Sequence, residues 1–155
     1  MDPKTFRRTF EPYAIQVYNQ YHLPVSILLS QSALETGWAT KVVADYYSGV
    51  SSNNYFNIKA LRGYSGRVAW HQTGEFINNS WTHPFQPFRM YNNALESFLD
   101  YGEFIVNQSN HRYDSAVAVA HDPVQYIQAI AASGYATDPQ YANKIMRIAA
   151  MYFIP

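Results

Sequence analysis

The stretch that decides the fold is LPVSILLSQSALETGWAT, residues 23–40. Apolar and small residues surround the helix predicted over residues 25–39, and Glu35 is its single ionisable side chain. A helix without a charged face is a buried one. Pro24 suits the first turn of this helix, and Gly37 suits the left-handed position that ends it. The sequence therefore predicts a buried central helix.

Glu35 lies in the last turn of this central helix. Burial and the negative end of the helix dipole both disfavour the ionised carboxylate, so both raise its pKa. A carboxylic acid that keeps its proton near neutral pH is prepared to act as a general acid. The alternative is a solvated or salt-bridged glutamate, with Lys41 or Lys59 as its partner.

The composition is that of a neutral chain rich in aromatic residues. Its 155 residues predict one domain, and the balance of 11 basic and 11 acidic side chains indicates no nucleic-acid partner and no anionic membrane surface. No apolar run is long enough to span a bilayer, and the sequence shows no export signal of its own. The absence of cysteine excludes disulfides and thiolate zinc sites. The 14 tyrosines suit core packing and, at a surface, contact with sugars.

Capping residues predict where most of the helices begin. Asp-Pro pairs open three of them, at Asp2, Asp122 and Asp138, and Asn93 caps another. Pro12 is expected to break or kink the first helix. In the piece that follows, Ile15, Val17 and Tyr18 are expected to face inward, and in the helix after Asn93 the acidic residues Glu96, Asp100 and Glu103 are expected to form a solvated face.

The middle of the chain predicts a small β-lobe. Residues 66–81 alternate apolar and polar side chains around a turn near Thr73-Gly74, which predicts a β-hairpin lobe over about residues 66–82. His83-Pro84 and Gln86-Pro87 are expected to end this lobe, and residues 55–60 are expected to form a short strand or an ordered loop. The predicted fold is α+β, mainly α, a single domain over 1–155 with a cleft between its lobes.

Two carboxylates, Glu35 and Glu75, stand out for chemistry in such a cleft. Glycoside hydrolysis commonly needs two, one to protonate the leaving oxygen and one to activate water or attack the sugar. A solvated residue at a hairpin turn is the alternative for Glu75. The five histidines show no zinc-binding spacing, and neither a nucleophile elbow nor a phosphate-binding glycine loop is present. No metal and no cofactor is expected.

Five segments, in chain order, resemble the motifs of one enzyme family. Residues 30–38, SQSALETGW, resemble its A-Q-A-A-L-E-S-G-W, and residues 55–60, YFNIKA, resemble its N-L-F-G-I-K-A. The others are residues 73–75 for T-x-E, 88–91 for F-R-x-Y and 134–142 for G-Y-A-T-D-P-x-Y-A. Five ordered motifs are more specific than any one alone. The family is glycoside hydrolase family 73, the bacterial and phage N-acetylglucosaminidases that include flagellar-rod enzymes and autolysins.

This resemblance implies a lysozyme-like fold and endo-β-N-acetylglucosaminidase activity, which cleaves the β-1,4 bond between N-acetylglucosamine and N-acetylmuramic acid in peptidoglycan. It implies Glu35 as general acid, Glu75 as second carboxylate, and Tyr135 as the residue that positions the substrate's acetamide or a water. Assistance by the acetamide itself is the competing mechanism. The residues expected to bind the sugars are Trp38, Phe56, Asn57, Thr73 and Tyr141.

Three residues depart from the family pattern. Ala39 and Asn57 stand where the family has glycine, and Tyr55 replaces leucine, which bears on loop geometry and substrate preference. Two alternatives remain open: a muramidase or lytic transglycosylase on a related fold, and a non-catalytic wall-binding or virion structural module. The expected partner is the peptidoglycan glycan strand. A monomer is expected, alone or within a larger chain or virion assembly, outside the cell, in the wall or periplasm, or on a virion.

Overall fold

The computed structural model describes residues 1–61 and 63–154. Its helices are α1 (Pro3–Tyr21), α2 (Val25–Thr36), α3 (Ala94–Glu103), α4 (Asp114–Ala118), α5 (Pro123–Ala132) and α6 (Tyr141–Ile148). Two π-helical turns, Phe104–Gln108 and Ala149–Phe153, continue α3 and α6. The strands β1 (Val68–Gln72), β2 (Glu75–Ile77), β3 (Ser80–Thr82) and β4 (Phe85–Arg89) lie between α2 and α3. None of the helices in the described ranges has the length and apolar character needed to cross a membrane.

Helix α2 is the buried centre of the helical lobe, as the sequence predicts. It packs against α1, α5, α6 and the terminal π-helical turn. Its small polar side chains bond to the helix backbone, for example the Ser30 hydroxyl to the Ser26 carbonyl at 2.7 Å and the Thr36 hydroxyl to the Ser32 carbonyl at 2.6 Å. These local bonds satisfy the hydroxyls, so the helix can be buried on all sides.

Helix α1 runs unbroken through Pro12, so the expected break there is wrong. Pro12 is exposed, and water can therefore satisfy the carbonyl that loses its amide partner one turn earlier. Val17 is buried as predicted, but Ile15 and Tyr18 are 45% and 49% exposed. The cap at Asp2 is confirmed, since its Oδ1 accepts a hydrogen bond from the helix backbone at 3.0 Å.

The β-lobe is one long hairpin instead of the short one that the sequence predicts. Strand β1 pairs with β4 and β2 pairs with β3, both antiparallel and in one shared register. The tip is Asn78-Asn79, with φ of 50° and 60°, the conformation that a type I′ turn requires. The turn predicted at Thr73-Gly74 is wrong, because these residues lie midway along the hairpin. The lobe also extends to Arg89, beyond the predicted range of 66–82.

Residues 55–60 form an ordered loop with one β-bridge, between Lys59 and Phe88 of β4. The Asn54 side chain holds this loop against the hairpin, because its amide nitrogen donates to the carbonyls of Ile58 and Arg89, each at 2.9 Å. Asn54 is fully buried, so these bonds are shielded from water. The Tyr55 amide donates to the Ser97 hydroxyl of α3 at 2.8 Å, so the loop joins the hairpin to the helical lobe.

Asp100 on α3 joins the lobes a second time. Its Oδ2 accepts hydrogen bonds from Arg89 Nη1 at 2.9 Å and from the Tyr91 hydroxyl at 2.5 Å. Glu103 likewise accepts a hydrogen bond from the Tyr21 hydroxyl at 3.1 Å. The expectation of a purely solvated acidic face on α3 is therefore wrong for these two carboxylates.

Candidate active site

A cleft of about 460 Å³ opens between the helical lobe and the hairpin. The three residues predicted as catalytic, Glu35, Glu75 and Tyr135, all line it. They arrive from three places: the last turn of α2, the start of β2 and the connection after α5. The fold thus brings to one cavity residues that lie far apart in the sequence.

The Glu35 carboxyl is half-buried and hydrogen-bonded through both oxygens. Oε1 accepts from the Tyr141 hydroxyl at 2.8 Å, and Oε2 accepts from Asn57 Nδ2 at 2.9 Å. Burial raises the pKa of Glu35, and the two hydrogen bonds oppose that rise only in part. Glu35 is therefore suited to hold a proton and release it inside the cleft.

A chain of buried hydrogen bonds supports Glu35 from behind. The Tyr101 hydroxyl donates to Gln31 Oε1 at 2.6 Å, and Gln31 Nε2 donates to the Tyr141 hydroxyl at 3.1 Å. Burial raises the pKa of Tyr141 well above its ordinary value, so its hydroxyl stays protonated and donates to Glu35. Sequence reasoning missed Gln31. Its signal was a lone amide side chain within an otherwise apolar and small-residue helix.

Glu75 is ion-paired within the cleft. Its Oε1 lies 2.5 Å from Lys59 Nζ, and the Glu75 side chain is 17% exposed. Lys59 thus pairs with Glu75 and not with Glu35, for which it was the suggested partner. The Lys59 backbone is placed by its bridge to β4.

Tyr135 is held by its hydroxyl, which donates to the Phe56 carbonyl at 2.7 Å. Arg112 secures the preceding turn, since its Nε donates to the Ser133 carbonyl at 2.7 Å and its Nη2 to the Gly134 carbonyl at 2.5 Å. Arg112 also lines the cleft. It was not predicted as a site residue, because nothing in its local sequence reveals the turn that it contacts.

Residues 56–59, here called the linking segment, contact every part of the site. The Phe56 carbonyl is bound by Tyr135, and the Lys59 ammonium pairs with Glu75. Asn57 donates to Glu35 and has a φ of 51°, the left-handed region that favours glycine and tolerates asparagine. This conformation explains how asparagine serves at a position where the family pattern has glycine.

The structure separates the predicted sugar-binding residues. Phe56, Asn57 and Thr73 line the cleft. Tyr141 contacts the carboxyl of Glu35 instead. Trp38 packs in the helical lobe, its ring 5.3 Å from Phe6 and 5.1 Å from Tyr152 between centroids. Trp38 and Ala39 both have positive φ, 59° and 62°, so neither continues α2, and neither lines the cleft.

Two polar atoms beside the cleft have no protein partner within residues 1–61 and 63–154: Asn57 Oδ1 and Thr73 Oγ1. Both atoms are buried, and a buried polar atom without a hydrogen-bond partner is costly to the fold. In the same described ranges, no cluster of three or more His, Cys, Asp or Glu side chains is arranged to hold a metal ion.

A family model for glucosaminidases, described as mannosyl-glycoprotein endo-beta-N-acetylglucosaminidase, matches residues 11–153. The chain belongs to this glucosaminidase family. The match extends over both lobes and therefore includes every part of the cleft described above.

Solved structures with similar sequences share the glucosaminidase fold. A peptidoglycan hydrolase mutant from Sphingomonas sp. A1 is 32% identical, with a TM-score of 0.83 over 94% of this chain and 91% of that one. A C-terminally truncated glycoside hydrolase domain of Salmonella typhimurium FlgJ is 31% identical, with a TM-score of 0.76 over 97% of each chain. The predicted lysozyme-like α+β fold is confirmed.

Among curated relatives, the peptidoglycan hydrolase FlgJ of Vibrio parahaemolyticus is 40% identical over 146 residues. That match covers 94% of this chain and 46% of FlgJ. The chain thus spans about half the length of the curated relatives that it matches.

Proposed function

We propose that this chain is a peptidoglycan hydrolase, an endo-β-N-acetylglucosaminidase that cleaves the β-1,4 bond between N-acetylglucosamine and N-acetylmuramic acid. The observation that carries the proposal is Glu35, a carboxyl with a raised pKa in a cleft that also holds the ion-paired Glu75. Membership of the glucosaminidase family supports cleavage next to N-acetylglucosamine. The relatives named peptidoglycan hydrolases support peptidoglycan as the substrate. The site of action proposed with it is the periplasm or the cell wall.

In the proposed reaction, Glu35 gives its proton to the glycosidic oxygen as the bond to the anomeric carbon breaks. A water then attacks the anomeric carbon; one of its two protons passes to the Glu75 carboxylate, and the other stays on the new anomeric hydroxyl. Solvent exchange returns a proton to Glu35 and removes one from Glu75. Lys59 places the Glu75 carboxylate at the cleft, and the negative charge of Glu75 stabilises the positive charge that develops on the sugar ring.

Tyr135 is proposed to position the acetamide of the bound sugar. Its hydroxyl is fixed by the Phe56 carbonyl, and its ring lies nearly parallel to that of Tyr141, at 26° and 5.8 Å. The polar atoms Asn57 Oδ1 and Thr73 Oγ1 are proposed to complete the contacts with the sugar. Neither atom has a partner within the described residues, and a hydrogen bond to the sugar would satisfy each once its side chain turns toward the cleft.

Glycan cleavage by Glu35→Gln tests the general acid. The variant keeps the shape of the side chain but has no proton to give, so its activity on purified peptidoglycan should fall by about 10²–10⁴-fold. Glu11→Gln, a surface change on α1, is the matched control and should cleave normally. Near-normal cleavage by Glu35→Gln would exclude the proposed acid.

Mass analysis of the new chain ends tests the bond. N-acetylglucosamine at the reducing end supports the proposal, whereas muramic acid or anhydro ends identify the muramidase and transglycosylase alternatives. The anomeric configuration of the first product, read by NMR, tests Glu75: inversion fits a water activated by Glu75, and retention fits assistance by the acetamide. Activity retained by Glu75→Gln but lost in Tyr135→Phe would also favour the acetamide.

A further inference from the structure

Aromatic side chains cover the outer face of the β-hairpin. Side chains alternate between the two faces of a strand, and both halves of the hairpin share one register. Glu75 and the buried Ala69 and Phe88 therefore belong to the inner face. The outer face carries large exposed rings, namely Trp70, Phe76, Trp81 and Phe85, which are 40%, 38%, 68% and 41% exposed.

The loop before the hairpin adds two more rings to this surface. The Tyr46 amide donates to the Trp70 carbonyl at 2.8 Å, and the Trp70 amide donates to Asp45 Oδ1 at 2.9 Å. These bonds hold the Tyr46 and Tyr47 rings 5.3 Å and 6.1 Å from the ring of Phe85. The outer aromatic face, defined as Tyr46, Tyr47, Trp70, Phe76, Trp81 and Phe85, is thus fixed before any ligand binds, which lowers the entropic cost of binding.

The chemistry of this face favours an uncharged, flat ligand. The rings of Tyr46, Tyr47 and Phe85 contact one another edge to face. Of the hairpin positions on the outer face, Arg89 alone carries a charge, and it is 7% exposed and paired with Asp100. The exposed polar side chains of this face are Gln72 and His83. Exposed rings beside hydroxyl, amide and imidazole groups match the apolar C–H face and polar rim of a sugar.

Gly74 connects the outer aromatic face to the cleft. It lines the cleft beside Glu75, and a Cβ placed on it would lie 3.6 Å from the ring of Trp81. The Trp81 ring therefore lies at the rim of the cleft. Trp70 is four residues further along the hairpin, which places it ~13 Å from Gly74. A polymer that leaves the cleft over Gly74 meets these rings in succession.

We infer that the outer aromatic face binds a β-1,4-linked N-acetylaminosugar strand outside the cleft. The inference rests on the proposed function, since it takes the polymer in the cleft as the occupant. Sugar rings lie flat on the aromatic rings, and their hydroxyl and acetamide groups face Gln72, His83 and the tyrosine hydroxyls. A strand held there stays near the cleft, which raises the effective concentration of bonds to be cleaved.

NMR of the tryptophan indole N–H groups tests this inference directly. The chain has three tryptophans, and Trp38, packed in the helical lobe, is an internal control. The β-1,4-linked hexamer of N-acetylglucosamine is titrated into the Glu35→Gln variant, which does not degrade it. Saturable shifts of the Trp70 and Trp81 signals, with the Trp38 signal unchanged, are expected.

Retention on insoluble peptidoglycan gives a second measurement. In the Glu35→Gln background, Trp70→Ala should weaken binding by about tenfold, which corresponds to about 1.4 kcal/mol. Tyr18→Ala, which removes an exposed ring from α1, is the matched control and should bind as before.

Two results would overturn the inference. One is a Trp70 signal that stays in place at hexamer concentrations that saturate the backbone amide signals of Asn57 and Gly134 in the cleft. The other is a Trp70 signal that moves with protein concentration alone, which would show that a second copy of the chain covers the face. Neither measurement needs turnover, so a chain that cleaves peptidoglycan while Trp70 does not respond overturns this inference and leaves the hydrolase proposal standing.

Discussion

Replacing Tyr141 by phenylalanine removes one oxygen atom from the centre of the hydrogen-bond chain behind Glu35. That hydroxyl donates to Glu35 Oε1 at 2.8 Å and accepts from Gln31 Nε2 at 3.1 Å. The ionised form of Glu35 therefore loses a donor, and the buried amide of Gln31 loses its acceptor. The first loss changes the chemistry of the site, and the second changes the stability of the fold.

The two effects differ in kind and in size. A hydrogen bond to a charged group contributes about 1.5–3 kcal/mol, and its loss raises the pKa of Glu35 above the already raised value in this protein. Leaving the buried Gln31 donor without a partner costs about 1–3 kcal/mol of folding free energy. For a domain of this size, a loss of about 2 kcal/mol lowers the melting temperature by about 4–8 °C.

The pH dependence of kcat/KM on purified peptidoglycan separates these effects. A general acid works when protonated, so activity falls as pH rises through the pKa of Glu35. Tyr141→Phe raises that pKa, and the alkaline limb of the profile should move to higher pH. Thermal unfolding is measured on the same samples. Tyr18→Phe removes a hydroxyl from the exposed surface of α1 and should change neither the profile nor the melting temperature.

An alkaline limb that moved to lower pH in Tyr141→Phe would refute this account of Glu35. It would mean that the hydroxyl stabilises the protonated carboxyl. If the alkaline limb and the melting temperature of Tyr141→Phe both equal those of the unmodified protein, these hydrogen bonds contribute neither to the pKa of Glu35 nor to stability in solution.

Two further predictions concern stability. Arg89→Met removes the cation that contacts Asp100. The free energy of unfolding should fall by about 3 kcal/mol, because breaking a buried pair leaves the remaining charge uncompensated. Urea unfolding measures this loss, and the double variant Arg89→Met/Asp100→Leu should recover part of it. If the single variant unfolds at the same urea concentration as the parent, the pair does not join the lobes. Pro12→Ala restores a helical amide on the exposed side of α1 and should raise the free energy of unfolding by about 1 kcal/mol. A lower urea midpoint in this variant would contradict the description of α1 as a regular helix.

Local sequence signals are sufficient to predict the central helix and the burial of Glu35. The absence of charge along α2, the proline before it and Gly37 after it are each local features. They predict the burial, the first residue, the left-handed cap at Gly37 and the raised pKa of the carboxyl, but the helix ends at Thr36 and not at residue 39. The cap at Asn93 was predicted in the same way, and its side chain accepts from the Glu96 amide at 3.0 Å.

The hairpin was predicted too short because its turn signals compete. A glycine at position 74 is a common turn residue, whereas the true turn is Asn78-Asn79, two asparagines in the left-handed region. Pro87 has no backbone amide, which disfavours a strand at this position. Each strand of a two-stranded hairpin has an open edge, where a missing amide removes no hydrogen bond. Its carbonyl still accepts from the Ala60 amide at 3.0 Å.

Contacts between distant residues could not be predicted from local pattern. Gln31 and Tyr141 are 110 positions apart, and only the packing of α6 on α2 brings them together. The pairing of Lys59 with Glu75 likewise depends on the bridge to β4. Trp38 belongs to the same motif as Glu35, yet only Glu35 lines the cleft. The Trp38 ring packs against Phe6 in the helical lobe instead.

The linking segment fixes the distance between Glu35, the proposed general acid, and the Glu75 carboxylate on the hairpin. It is four residues long and is bound at both ends, at Phe56 by Tyr135 and at Lys59 by Glu75. The surfaces of the two lobes can therefore differ between relatives without changing the spacing of Glu35 and Glu75. An insertion or deletion of one residue within 56–59 would change that spacing, because both ends of the segment are bound.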